Sequence, residues 1–322
     1  MITRGHFTAG IGKTLVLAAF FSLNWLETPA NASVSVPVSF SVPLSLPAPV
    51  SVQDDAGKTV VLTSPAKRII ALAPSLTELA YAAGAGAKLV AVSSYSDFPT
   101  EAKKLPQVAD FSGVSFELLL TLKPDLVLAW KSGNREKDLQ RLRDLDIPVY
   151  AAEVVKMADV PRVLRDIGKL AGSGEASEMA ASQFELRSLL LQKSNAAKRK
   201  ISVFFELGES PLMTINGNHA ISEAITLCGG ENIWKAAPSL VFTPSREAMV
   251  AMQPQVILYP TSAKQSGKTE ARRSSYEGIQ AAREKQIYGI DADYILRQGP
   301  RFIDGVAEVC DALDGARRSI KK

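Results

Sequence analysis

The stretch Ser115–Trp130, SFELLLTLKPDLVLAW, has a second copy in this chain, Ser245–Pro260, SREAMVAMQPQVILYP. An offset of 130 residues (245 − 115) keeps the serine, the glutamate two residues later and the proline seven residues further in register. Each copy predicts a short helix that follows a serine cap, stops before the proline and leads into a buried strand. The repeat indicates two similar lobes, each with one exposed glutamate, Glu117 or Glu247, where the helix dipole favours negative charge.

A second echo supports the duplication. Thr77-Glu78 is followed by Gly84, and Ser222-Glu223 is followed by Gly229, with an offset of 145 residues in each case (222 − 77, 229 − 84). Two independent matches are better explained by a repeated lobe than by chance.

Strand and helix patterns alternate along both halves. The run Val50–Leu62 predicts a hairpin around the turn Asp54–Gly57. Further strands are predicted at Ile69–Leu72, Leu89–Ser93, Asp125–Ala129, Pro148–Ala151, Val256–Tyr259 and Gln286–Ile290, and helices at Ser75–Gly84 (capped by Ser75), Arg135–Leu145, Val160–Leu170, Ser275–Arg283 and Pro300–Leu313. Alternation of this kind predicts parallel sheets covered by helices on both faces.

One uninterrupted segment, Glu175–Lys198, contains neither Pro nor Gly. Its apolar stripe consists of Met179, Phe184, Leu186, Leu189, Leu190 and Leu191. A helix of this length would run about 36 Å, which suits a strut between the lobes; the alternative is an ordinary packed helix of the first lobe. The expected fold class is α/β, with two parallel-sheet lobes joined by a single long backbone helix and a ligand cleft between the lobes.

The expected domains are a signal peptide (1–32), a Pro/Ser/Val-rich tether (33–52), an N-terminal lobe (53–172), the backbone helix (173–199) and a C-terminal lobe (200–322). The signal peptide is predicted from Arg4 and Lys13, the apolar run Thr14–Leu26 and the small residues Ala30-Asn31-Ala32, with cleavage after Ala32. The apolar run is shorter than the roughly 20 residues that a membrane-spanning helix needs. We therefore expect a free periplasmic protein.

Composition and motifs argue for binding over catalysis. The net charge of +4 gives no argument for nucleic-acid binding. No HExxH, GxSxG, GxGxxG or Walker loop is present, so we expect no enzyme, no cofactor and no metal site, with a secreted hydrolase as the alternative. His219 is interpreted as a helix-start histidine, although one axial histidine could also serve a haem.

The chain has two cysteines, Cys228 and Cys310. In an exported protein such a pair predicts a disulfide. The bridge would close a loop of 82 residues (310 − 228) and contribute about 4 kcal/mol on the chain-entropy model.

Aromatic residues lie where predicted strands and helices meet loops. Tyr95 and Trp130 follow strands, Phe111 and Phe242 precede the two Ser-x-Glu turns, and Tyr294 follows the last strand. Ligands of open parallel sheets bind beyond the carboxyl ends of the strands. These positions predict a wide, flat, largely apolar ligand held between the lobes.

Five segments resemble the helical-backbone substrate-binding proteins of ABC importers, a family that serves cobalamin, haem and iron-siderophore uptake. They are Ala73–Ala80 (APSLTELA), Val92–Pro99 (VSSYSDFP), Leu122–Asn134 (LKPDLVLAWKSGN), Cys228–Ile233 (CGGENI) and Asp293–Arg301 (DYILRQGPR). The second and third are most similar to cobalamin-binding members. The resemblance covers roughly residues 53–316 and implies two α/β lobes, one connecting helix and little lobe closure.

The resemblance also implies roles for single residues. Tyr95 and Trp130 match aromatic residues that face the corrin ring, and Asp293 and Arg297 match polar residues near the ligand. Phe111, Tyr294 and Phe242 stand where cobalamin binders have tryptophan, and the loop before Ser245 is one residue shorter, which leaves room for a different corrinoid.

Two further pairs match the family. Glu117 and Glu247 match glutamates that engage paired arginines of the permease dimer, and Cys228 and Cys310 match the family disulfide. The function implied is a monomeric periplasmic protein that captures cobalamin or a related corrinoid and delivers it to an ABC importer. Haem and ferric siderophores are the alternative ligands.

Overall fold

The computed structural model describes residues 48–262 and 269–320. The predicted signal peptide, and the tether up to residue 47, lie outside these residues. The predicted hairpin is confirmed, with strands β1 (Val50–Gln53) and β2 (Thr59–Leu62) paired antiparallel. The tether therefore cannot extend to residue 52, because Val50–Val52 belong to a strand whose Val52 side chain is buried in the core.

The N-terminal lobe is built on a six-stranded sheet. Its strands are β3 (Ile69–Ala71), β4 (Leu89–Ser93), β5 (Gln107–Asp110), β6 (Gly113–Val114), β7 (Leu126–Trp130) and β8 (Val149–Ala152), and its helices are α1 (Pro74–Ala82), α2 (Phe116–Thr121), α3 (Glu136–Asp144) and α4 (Asp159–Ala171), with 3-10 turns at Gly86–Lys88 and Thr100–Lys104. The strand order is β6-β5-β4-β3-β7-β8, and all pairs except β5–β6 are parallel.

The C-terminal lobe follows the long helix α5 (Gly174–Asn195). Its elements are β9 (Ile201–Phe205), β10 (Gly208–Glu209), β11 (Leu212–Ile215), α6 (Ala220–Leu227), β12 (Gly230–Asn232), β13 (Val241–Phe242), α7 (Arg246–Met252), β14 (Val256–Thr261), α8 (Thr269–Ser275), α9 (Gln280–Arg283), β15 (Ile287–Asp291), α10 (Ala292–Ile295) and α11 (Phe302–Ser319). A parallel sheet has the order β12-β9-β14-β15, and a small antiparallel sheet has the order β10-β11-β13.

The predicted duplication is present in both topology and backbone conformation. The strand order β4-β3-β7-β8 of the first lobe is matched by β12-β9-β14-β15 of the second. At the offset of 130, Lys123 and Gln253 each take a left-handed φ (46° and 41°) before a proline, a residue that disfavours the α region for its predecessor. At the offset of 145, Gly84 and Gly229 end helices with φ of 76° and 73°.

The helix caps agree with the sequence in part. Ser245 caps α7 as predicted, since its side chain accepts a hydrogen bond from the Ala248 N–H at 3.1 Å. Ser115 occupies the same position before α2, but its side chain makes no capping bond. The prediction that Ser75 caps α1 was wrong, because Pro74 already occupies the first helical position, where its missing N–H costs nothing.

Helix α5 connects the lobes, as predicted. It contacts α1 and α4 of the N-terminal lobe and α6 and α11 of the C-terminal lobe. The predicted apolar stripe was wrong as a packing surface, because four of its six members are exposed: Met179, Leu186, Leu189 and Leu190. The buried side chains of α5 are Ser177, Ala181, Phe184 and Asn195.

Close approach of the backbones explains this burial pattern. A Cβ added to Gly168 of α4 would lie 1.9 Å from the Ser177 Oγ, and one added to Gly84 would lie 2.7 Å from the Ala176 Cβ. Helix α5 therefore packs against the N-terminal lobe through small residues. The positions of its large apolar residues do not predict a packing face of this kind.

Two further predictions concern the C-terminal lobe. The helix predicted at Ser275–Arg283 was wrong, because Gly278, with φ of 90°, separates α8 from α9. The predicted disulfide is confirmed: Cys228, at the end of α6, is bonded to Cys310 of α11.

In the part of the chain that the structure describes, no helix is both long and apolar enough to cross a membrane.

We predict that Gly168→Ala destabilises the protein by about 1–3 kcal/mol, although alanine favours helices, because the new methyl group would overlap Ser177. Urea denaturation measures the change. Gly174→Ala, at a helical glycine with no heavy atom within 4 Å of its added Cβ, is the matched control and should leave stability unchanged or slightly higher. Equal effects of the two substitutions would contradict the proposed close contact.

Candidate ligand-binding cleft

A cavity of about 520 Å³ lies between the two lobes. Its walls come from the segments that follow the carboxyl ends of strands in both sheets, which is where open parallel sheets bind ligands. The N-terminal lobe contributes Ala73–Leu76, Leu79, Trp130, Ser132 and Ala152–Val155, and the C-terminal lobe contributes Leu207, His219, Ile221, Leu240, Val241 and Leu296–Gln298. A largely apolar lining with a few polar groups is typical of small-molecule sites of this size.

Trp130 is the aromatic side chain of the N-terminal wall. Its indole N–H donates to the Glu153 Oε1 at 3.1 Å, and its backbone N–H donates to the Asn134 Oδ1 at 2.7 Å. Gly133 lies against the ring, since a Cβ there would be 1.9 Å from the Trp130 Cε3. The spacing Trp-x-x-Gly-Asn therefore has a physical reason: glycine makes room for the indole and asparagine fixes its backbone.

The two residues that hold Trp130 are themselves fixed. The Asn134 side-chain amide donates to the Leu72 carbonyl at 3.0 Å, which ties the loop to the strand beside it. Glu153 accepts from the Ser132 N–H at 2.9 Å and from the Ser132 hydroxyl at 3.0 Å. The indole thus has a preset orientation, and about two fifths of its residue surface remains exposed.

Arg297 crosses the cleft from the C-terminal lobe. Its guanidinium pairs with Asp97 at 2.7 Å and Glu78 at 3.3 Å, both in the N-terminal lobe, and with Asp293 at 2.9 Å in its own lobe. Burial alone would lower the pKa of Arg297, but the hydrogen bond and charge of Asp97 outweigh it and raise the pKa. The arginine therefore stays charged in the cavity wall.

Glu78 is the buried centre of this network. Arg301 donates to both of its carboxylate oxygens, from Nε at 2.8 Å and from Nη2 at 2.6 Å, and these bonds raise the pKa of Arg301. The same guanidinium lies 3.9 Å from the ring centroid of Phe98 in the N-terminal lobe. Two-point hydrogen bonding and stacking of this kind suit arginine and not lysine.

A reciprocal bond runs in the opposite direction. Glu223 of the C-terminal lobe accepts from the backbone N–H of Met157 in the N-terminal lobe at 2.7 Å. Glu78 and Glu223 are the two glutamates of the second sequence echo, so the duplicated position holds the lobes together from both sides. The sequence revealed the echo, but the partners Arg301 and Met157 are too distant in sequence to be inferred from it.

The other predicted aromatic residues do not line the cavity. Tyr95 and Phe111 are exposed to 76% and 93% in loops of the N-terminal lobe. Phe242 packs edge-on against Trp234, with ring centroids 5.5 Å apart, and lines a separate apolar depression, while its neighbour Val241 lines the cavity. Tyr294 lies 5.2 Å from the guanidinium of Arg301.

Glu117 and Glu247 occupy matching places in the two lobes. Each is exposed in the first turn of the short helix that precedes a sheet strand, α2 before β7 and α7 before β14. Among residues 48–262 and 269–320, neither carboxylate has an ion-pair partner. Their charges are therefore open to a partner protein.

His219 lines the cavity and caps helix α6. Its Nδ1 accepts the backbone N–H of Ile221 at 3.1 Å, which confirms the interpretation as a helix-start histidine. Burial lowers the pKa of His219 to about 4, so the ring is neutral near pH 7. No motif surrounds His219, so the sequence alone does not predict that it lines the cavity.

The fold and this cleft together define a two-lobed substrate-binding protein. A family model described as "Periplasmic binding protein" matches residues 69–294, and the chain belongs to this family. The chain is 36% identical over 254 residues to the vitamin B12-binding protein of Vibrio cholerae serotype O1, covering 79% of this chain and 91% of the relative. It is 35% identical over 249 residues to that of Pectobacterium carotovorum, covering 77% and 88%.

Solved structures agree with this assignment. The periplasmic vitamin B12 binding protein BtuF of Vibrio cholerae matches with a TM-score of 0.73 and 36% identity, covering 79% of this chain and 99% of that one. The periplasmic heme-binding protein RhuT from Roseiflexus sp. RS-1 matches with a TM-score of 0.68 and 25% identity, covering 78% and 98%. The predicted family and fold are confirmed.

We predict that Glu78→Gln lowers the free energy of unfolding by about 3 kcal/mol, because it leaves two half-buried arginines facing a neutral amide at a buried position. Asp97→Asn, which removes an exposed partner of Arg297, is the control and should cost less than about 1 kcal/mol. Denaturant titration of both variants measures the difference. A small effect at Glu78 would show that the lobes do not depend on this carboxylate.

Proposed function

We propose that this protein captures a corrinoid, cobalamin or a relative, in the cleft and delivers it to an ABC importer. The observation that carries the proposal is the Trp130 wall: an indole held in a preset orientation by Gly133, Asn134 and Glu153, facing an apolar cavity. Vitamin B12-binding relatives that align with more than three quarters of the chain support the same ligand class.

The ligand contacts follow from this arrangement. Trp130 supplies a flat surface for one face of the macrocycle, and Arg297, held by Asp293 and Asp97, supplies charge-assisted hydrogen bonds at its edge. The exposed rings of Tyr95 and Phe111 are available to cover parts of a ligand that extend beyond the cavity. Tyr294, beside Arg301, completes the proposed set of aromatic contacts in the C-terminal lobe. Phe242 packs against Trp234 and lines a separate depression, so we propose that it contacts only a part of the ligand that extends beyond the cavity.

Delivery requires recognition of the loaded protein by a membrane partner. Glu117 and Glu247 have open charges at equivalent positions of two similar lobes, which suits paired arginines on a permease dimer. We assign the protein to the periplasm as a monomer, with the leader removed after Ala32. The corrinoid is cargo, and the protein itself performs no catalysis.

A corrinoid titration tests the ligand. Wild-type protein should bind cyanocobalamin in isothermal titration calorimetry, and Trp130→Ala should weaken binding at least about tenfold because it removes the largest apolar contact. Trp130→Phe should retain part of the affinity.

The control is Leu189→Ala on the exposed face of α5, which should bind like wild type. If wild-type protein binds no corrinoid but shifts the Soret band of added haem, the proposed ligand is wrong. Haem, which the name of a structural relative indicates, would then replace it.

Reconstituted transport tests the docking pair. Glu117→Ala combined with Glu247→Ala should reduce corrinoid uptake by about tenfold or more, because two charged docking contacts are lost. Corrinoid affinity should stay unchanged, because both carboxylates lie outside the cavity. Glu175→Ala combined with Glu277→Ala removes the same charge from other exposed positions and should leave uptake intact. Lost ligand affinity in the first double variant, or equal uptake by both, would refute the docking role.

A further inference from the structure

We propose that His219 donates a hydrogen bond from Nε2–H to a carbonyl oxygen at the edge of the bound macrocycle, and does not coordinate its metal. The proposal rests on the proposed function, because the acceptor belongs to the corrinoid. Corrinoids carry amide side chains around the ring, whose carbonyl oxygens are acceptors of the required kind.

The cap of α6 decides which ring nitrogen carries the proton. A neutral imidazole has one N–H and one lone pair. The Ile221 N–H points at Nδ1 at 3.1 Å, so the lone pair is on Nδ1 and the proton is on Nε2. Because burial lowers the pKa of the ring to about 4, this neutral form persists throughout the neutral pH range.

His219 lines the cavity, and its Nε2 is the ring nitrogen that the helix cap does not use. In the part of the chain that the structure describes, His219 makes no hydrogen bond other than the one at Nδ1. The C-terminal lobe also contributes the apolar residues Ile221, Leu240 and Val241 to the lining of this cavity. An N–H donor among apolar residues has few water molecules to bond. It therefore favours a hydrogen bond to an acceptor atom of the ligand.

The same geometry disfavours metal ligation. Coordination through Nε2 would need its lone pair, which requires the proton to move to Nδ1, against the Ile221 N–H. The cap would then be lost and a backbone donor left without its acceptor, at a cost typical of a lost helix cap. His219 thus favours a ligand that accepts a hydrogen bond at the edge of its ring over a haem whose iron would be coordinated by an axial histidine.

Nuclear magnetic resonance tests the tautomer directly. The two histidines of the chain are His6 and His219, and the proposed cleavage after Ala32 removes His6, so the ¹⁵N-labelled mature protein, purified without a histidine tag, gives one imidazole spin system. The pattern absent from the His219→Gln spectrum belongs to His219. We expect an unprotonated Nδ1 and a protonated Nε2 at pH 7, with the Nε2–H signal moving downfield when cyanocobalamin is added.

Binding measurements test the contact. His219→Ser retains a good helix cap but lacks the ring donor, so its melting temperature should stay near that of wild type while cyanocobalamin affinity falls about three- to tenfold. His219→Asn, which also caps well, is a second variant should serine not fold. Dicyanocobinamide and haem serve as further ligands: the loss should persist for the first, and wild-type protein should show no histidine-ligated haem spectrum.

The outcomes separate the two claims. Wild-type protein that binds no corrinoid would overturn the proposed function and this contact together. Two other results would overturn the contact alone. In the first, wild-type protein binds the corrinoid and His219→Ser binds it equally well. In the second, wild-type protein binds the corrinoid with Nδ1 of His219 protonated and the corrin absorption spectrum shifted.

Discussion

The ion pairs of a buried carboxylate hold the two lobes at their present separation. Glu78 lies in the N-terminal lobe, and its carboxylate oxygens are bound by Arg301 and Arg297 of the C-terminal lobe. A carboxylate removed from water is tolerated only where opposite charge and hydrogen bonds replace the solvent. Moving the lobes apart would expose the Glu78 carboxylate to water or separate it from its arginines. The network therefore sets the width of the cavity and the position of Arg297 in its wall.

The duplicated architecture makes this connection two-sided. Glu223, the counterpart of Glu78, reaches the backbone of Met157 in the opposite lobe, and α5 spans both lobes behind the cleft. The disulfide between Cys228 and Cys310 fixes α11 to the end of α6, and α11 begins directly after Arg301. Covalent, electrostatic and packing constraints therefore act on the same region of the C-terminal lobe.

The cleft itself combines an apolar surface with polar groups that are mostly satisfied inside the protein. Trp130 is held by Asn134 and Glu153, and Arg297 by three carboxylates. Groups fixed in this way lose little conformational entropy when a ligand arrives, so rigid walls can contribute to affinity. His219 also has one ring nitrogen fixed, because its Nδ1 accepts the Ile221 N–H, and the side chain lines the cavity.

The α/β class, the two lobes, the connecting helix and the disulfide could all be predicted from the sequence. Periodicity and proline positions are local signals of helices and strands, the internal repeat indicates two lobes, and two cysteines behind an export signal indicate a disulfide. Trp130 was predicted near the ligand from its place after a strand, and Arg297 from the family resemblance; both line the cavity. The folded structure was needed to show that Phe242 packs on Trp234, that His219 lines the cavity, and that α5 packs through Ser177 and Ala181. Those outcomes depend on contacts between residues far apart in the chain, whose distances no local pattern encodes.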